Sequence, residues 1–143
     1  MTPLTAVAIA VVFVWLGVVV GISFIEAPIK FRAPGVTIPI GLGIGRLVFG
    51  VVNALEVALA VVALVATLIG TGVAVAPTVL AIAVAVVLAI QLLAVRPALN
   101  RRSDAVLAGA PTETRSRAHL YYVGLEVVKA AGLIALGVVL LAG

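Results

Sequence analysis

The sequence predicts an all-α, integral membrane four-helix bundle, with the N and C termini outside and two basic cytoplasmic loops. Three observations carry that reading. Apolar residues fill 65% of the 143 positions and charged residues only 10%, where an ordinary soluble domain is about one-quarter charged. Mean hydropathy is +1.43, so too little polar surface exists to cover a water-soluble globule. The apolar residues also gather into four runs, each long enough to cross a hydrocarbon core of about 30 Å at roughly 1.5 Å per residue. The whole chain, 1–143, reads as a single transmembrane domain.

The first span covers about residues 4–24, with no charge before Glu26. It lacks a basic leader, and its apolar stretch exceeds the roughly 7–15 residues of a signal-peptide core, so it reads as a retained helix. Gly17 and Gly21 give it a small-xxx-small notch suited to close packing. The segment that follows holds Pro28, Pro34 and Pro39 yet stays apolar between its charges. Proline denies it a long regular helix. It reads as a strip along the headgroups with Ile29 and Phe31 in lipid, the alternative being a re-entrant lid over the bundle.

The second span covers about 42–69, interrupted by Arg46, Asn53 and Glu56. The third covers about 77–95, and Arg96-Pro97 is expected to close it. A polar connection over 100–116 then holds a short helix at 103–107 and a turn at Gly109-Ala110-Pro111. The fourth span covers about 120–141. Both basic loops precede a helix with an acid part-way along, but the flanking residues do not align. No internal repeat of the transporter kind is expected.

Loop charges set the orientation. Lys30, Arg32 and Arg46 flank the first connection; Arg96, Arg101, Arg102, Arg115 and Arg117 flank the third. The turn over 70–76 carries no charge. By the positive-inside rule both basic loops are cytoplasmic and both termini are outside. Seven arginines against two lysines, with abundant Ala, Val and Gly, associate the chain with a GC-rich bacterium and hence with a multi-pass place in the cell (inner) membrane. The net charge of +4 lies mainly in connecting segments and forms no single basic face, so nucleic acid is not an expected partner. The lipid bilayer is, together with a homo-oligomer or larger membrane complex, because four short helices enclose little volume. With no cysteine, disulfides, thiolate metal sites and thiol redox chemistry are excluded.

The functional signal is a set of polar residues inside the spans. Arg46, Phe49, Asn53 and Glu56 recur three or four residues apart, as do His119, Tyr122, Glu126 and Lys129, which places each set on one helix face. If Arg46 and His119 mark the interface, Glu56 and Lys129 each lie about 15 Å in, near the midplane. Equal depth and opposite sign predict a Glu56–Lys129 ion pair. Glu126 lies one turn shallower, where Asn53, Gln91, Tyr122 or His119 could hydrogen-bond it. Arg46 and Arg96 could snorkel to headgroups or turn inward to Glu26 or Glu126. A charge at the bilayer centre costs roughly 2.5–3.5 kcal/mol on insertion scales. Phe49 apart, these ten residues are therefore binding or proton-relay candidates, weighed against a purely structural role in fixing helix register.

No catalytic, metal or cofactor motif stands beside them. A di-metal carboxylate bundle needs Glu-x-x-His motifs on two helices, and the chain has one histidine. The remaining metal alternative is convergence of Glu26, Glu56, Glu126 and His119. Gly41-Leu-Gly-Ile-Gly-Arg lacks the Lys-Ser/Thr of a phosphate-binding loop; its glycines suit close packing at the entry to the second helix. Ser23, Ser103 and Ser116 lack the His-Asp context of a nucleophile.

The order of landmarks resembles that of small four-span membrane proteins related to the transmembrane protein 205 family, a bacterial domain of unknown function. The likeness rests on Trp15-Leu-Gly17 with Gly21 and Phe24, Ala27-Pro28 and Phe31, Arg46 and Phe49, Arg96-Pro97, and Arg117 with His119. It implies a fold and a location more than an activity. Three functions stay open. The first is a non-enzymatic protein moving a small solute or protons through the polar cluster. The second is an accessory or assembly subunit with a structural charge cluster, and the third a lipid- or quinone-directed membrane enzyme using Glu126 or Glu56 as acid and base.

Overall fold

The computed structural model describes residues 1–109 and 117–143, so Arg115 and the turn beyond Gly109 lie outside the described residues. All regular structure among them is helical. Four helices are long and apolar enough to cross a membrane: α1 (Pro3–Arg32), α2 (Ile38–Thr71), α3 (Val75–Leu107) and α4 (Arg117–Ala142). Helix starts follow local chemistry. Thr2 caps α1 by accepting from the Thr5 N–H, with Pro3 at the first helical position. Thr37 caps α2 in the same way through Ile40 N–H, with Pro39 in its first turn. Pro39 therefore opens a helix instead of extending the loop. At its other end, α2 closes on Gly72 in the left-handed region, and the Val73 N–H returns to Leu68 O at 2.9 Å.

Two expected boundaries are corrected. α1 does not stop near residue 24, and α3 does not stop at Arg96-Pro97. In both, a π-helical stretch comes just before an X-Pro pair: Val19–Glu26 before Ala27-Pro28, and Gln91–Val95 before Arg96-Pro97. Ala27 N–H reaches back five residues to Ile22 O, and Arg96 N–H reaches Gln91 O. Proline in an α-helix collides with the carbonyl four residues back and lacks a donor. The wider turn relaxes that conflict, so the helix runs on through it. As a result the first connection shrinks to a few residues, and the headgroup strip expected from its prolines is largely helix. Its end folds against α2, where the Phe31 ring and the Lys30 ammonium lie over Gly41 and Gly45. Gly41 and Gly45 of the run thus serve close packing, while Gly43 faces open space.

Around the bundle α1 packs on α2 and α4, and α3 packs on the same two, leaving α2 and α4 across a diagonal. The termini meet the α2–α3 turn at one end. There the Thr2 and Thr5 hydroxyls donate to Gly70 O at 3.1 and 2.9 Å. A Cβ on Gly70 would sit 2.6 Å from the Thr5 backbone nitrogen, which cannot rotate away. Gly70→Ala should accordingly lower the thermal midpoint in detergent by the equivalent of roughly 1–3 kcal/mol. An unchanged midpoint would rule out this contact.

The interior is layered. Towards the termini lies an apolar plug in which Val12 and Trp15 of α1 meet Ala63 of α2, Val84 of α3, and Leu133 and Leu136 of α4. Towards the basic loops lies a smaller cluster of Phe49, Val95 and Tyr122, backed by Ile22, Ala27 and Leu99. Ile22 and Ala27, five residues apart, both face it, as π-helical stacking requires. Outside, large apolar residues are bare: Leu47 is 77% and Leu93 80% exposed. A contiguous surface of that kind calls for lipid rather than water.

Candidate functional site

Between the two apolar layers sits a buried polar network from all four helices. Lys129 on α4 is fully buried, and Glu56, Gln91 and Glu126 are buried nearly as completely. The Lys129 ammonium donates to Glu56 Oε1 at 2.6 Å and to Gln91 Oε1 at 2.8 Å, and pairs with Glu126 Oε1 at 2.5 Å. An ammonium has three N–H donors, and these contacts engage all of them. Gln91 Nε2 donates to Glu126 Oε1 at 2.7 Å. Trp15 Nε1 donates to Glu56 Oε1 at 3.0 Å. The expected Glu56–Lys129 pair is present, but as half of a carboxylate–ammonium–carboxylate bridge. Glu126 joins it because a residue three positions away on the same helix lies on the same face.

Beneath the network, on the basic side, the Arg96 guanidinium lies 4.7 Å from the Phe49 ring centroid and 5.7 Å from that of Tyr122. The two rings meet edge to face at 5.9 Å and 87°. Gln91 and Arg96 would diverge on an α-helix; the π turn, with its five-residue hydrogen bond, stacks one over the other so that both face the axis. A cavity of about 170 Å³ opens at this end. Its apolar lining includes Phe24, Leu42, Phe49 and Leu99; its polar lining includes Lys30, Arg46, Arg96, His119, Tyr122 and Glu126. Glu126 is thus shared between cavity and network.

The other sequence candidates separate from this centre. Arg46 is exposed and pairs with Asp104 of α3, not with Glu26 or Glu126. Arg96 lies beside the aromatic rings and has no carboxylate among the described residues within ion-pairing distance. Glu26 turns to Lys30 at 3.6 Å, one turn along its own helix. Asn53 is half-buried and is not among the partners of Glu126, because its position on α2 lies off the buried line through Phe49 and Glu56. His119 is exposed at the cavity wall. Glu26, Glu56, Glu126 and His119 do not converge: no group of three metal-capable side chains occurs among the described residues.

Sequence reasoning missed two participants. Trp15 passed as part of an apolar span, although a buried indole N–H needs an acceptor. Asp104 passed as a solvated loop acid because α3 was expected to have ended.

Fold and site together define a helical bundle with four helices long and apolar enough to cross a membrane, enclosing a charged, hydrogen-bonded centre. No protein-family model matches the chain, and neither does any curated protein or solved structure.

Proposed function

We propose that this is a non-enzymatic multi-pass protein of the bacterial cell membrane that takes up protons or a small solute from the cytoplasm into its polar centre. The orientation rests on the positive-inside rule, with the basic ends of the helices cytoplasmic and both termini outside. The observation that carries the reading is Glu126. One side of it lines the cavity at the basic end, and the other is bonded to Lys129, which bridges to Glu56. Two carboxylates against one ammonium leave one negative charge for a proton or cation arriving through the cavity to balance. The apolar plug beyond Trp15 seals the route towards the termini, so access is one-sided in this conformation.

Reconstitution into liposomes with an internal pH-sensitive dye tests the reading. Wild type should move protons measurably faster than empty vesicles, and Glu126→Gln should lower that rate at least tenfold while Lys129 keeps Glu56 as its partner. Equal rates for wild type and empty vesicles would remove the proton reading.

A second reading has its own support. All three Lys129 donors are engaged and the network is buried, which suits an accessory subunit whose charges fix helix register. Absence of flux, with the stability pattern described in the Discussion intact, would favour it.

A further inference from the structure

Arg96 is the cation whose environment the proton reading leaves unexplained. The other basic residues at the cavity have local answers: Lys30 has Glu26, and Arg46 has Asp104. Around Arg96, by contrast, α2 contributes Phe49 and α4 contributes Tyr122, both through ring faces or edges. No side-chain hydrogen-bond acceptor and no carboxylate among the described residues engages its guanidinium. Glu126, the nearest acid of the cavity wall, is bonded instead to Lys129 and Gln91.

Two rings set at 87° cannot both lie flat on one guanidinium, and neither supplies it a carboxylate. Its N–H groups form a rigid fork matched to the two oxygens of a carboxylate or phosphate. Arg96 is half-buried, so it keeps only part of its hydration, and aromatic contact offsets only a small part of what it loses. This guanidinium borders an opening of about 170 Å³ whose apolar wall includes Leu42, Phe49 and Leu99. An engineered cavity of about 150 Å³ accommodates benzene. The space therefore suits an oxyanion with a body no larger than one ring or a short chain, or a lipid headgroup whose tails stay outside. Asn100 and Ser103 at the rim add neutral hydrogen-bonding groups to orient it.

We propose that the cavity binds a compact oxyanion, carboxylate or phosphate, carrying an apolar body, with Arg96 as its principal ligand. The site shares its cavity with the functional reading above but not its proton step. Anion binding without flux would keep this site and remove the transporter. Flux without anion binding would do the reverse.

The test uses the full chain, as wild type, Arg96→Gln and Arg96→Lys. Sodium benzoate is titrated into each in neutral detergent by calorimetry. In parallel, thermal midpoints are measured in nanodiscs of phosphatidylcholine alone and with phosphatidylglycerol added. A free small anion gives saturable one-to-one benzoate binding to wild type, weakened at least tenfold in Arg96→Gln and to a lesser degree in Arg96→Lys. A lipid source gives no benzoate heat, but phosphatidylglycerol raises the midpoint of wild type and not that of Arg96→Gln. If neither probe distinguishes wild type from Arg96→Gln, the proposal is overturned. Should Arg96→Gln not fold, Arg96→Lys decides, because it keeps the charge and loses the fork. Binding equal to wild type would then overturn the assignment to the guanidinium.

Discussion

Lys129→Met will destabilise the bundle by roughly 3–5 kcal/mol, the range seen when one partner of a buried ion pair is removed. Lys129 is the hub: its ammonium touches Glu56, Gln91 and Glu126, and it is fully buried. Without it two buried carboxylates face each other, and the Gln91 carbonyl loses its donor. Methionine fills much of the space, so the loss reports charge and hydrogen bonding more than a cavity. Thermal unfolding in detergent measures it. Adding Glu56→Gln and Glu126→Gln to the same chain should recover most of the loss, since the network is then neutral. A midpoint within a degree of wild type for Lys129→Met alone would contradict the bridge.

The second large effect is one of coupling. Glu56→Gln and Glu126→Gln each leave Lys129 with one carboxylate, a balanced pair. Each should cost no more than about 1.5–3 kcal/mol, the worth of a hydrogen bond to a charged group. The double variant strands the ammonium. Its loss should exceed the sum of the singles by about 0.5–3 kcal/mol, the interaction energy typical of contacting residues. The comparison separates a bridge from the simple Glu56–Lys129 pair that sequence spacing suggests. With a simple pair Glu56→Gln alone would strand the ammonium, and adding Glu126→Gln would change little. Additive losses would therefore argue for the pair and against the bridge.

How far the sequence could be read depended on which physics was in play. Composition and run length show directly where helices can cross a membrane, and depth along a regular helix put Glu56 and Lys129 level. The Glu126–Lys129 contact follows from their three-residue spacing on α4, whereas the contact of Gln91 with Lys129 needs the rotation of α3 about its axis, which spacing alone does not supply. The π turns were illegible for a related reason. Pro28 and Pro97 announce a disturbance, but a terminus and a widened turn look alike until packing decides. Reading them as termini hid the α3 segment that carries Asp104 to Arg46. It also hid the placement of Arg96 over Phe49 and Tyr122. Trp15 was hidden by its company, one indole in an apolar run with no polar residue nearby in sequence.

That indole gives the molecule an optical label it was not engineered to carry. Trp15 is the sole tryptophan of the chain, and its N–H is bonded to the same Glu56 oxygen that receives Lys129. Emission excited selectively over the two tyrosines therefore originates at the charged centre. Any event that moves a proton or shifts a helix there changes the field around a single chromophore, so the interior can be followed by spectroscopy in the unmodified protein.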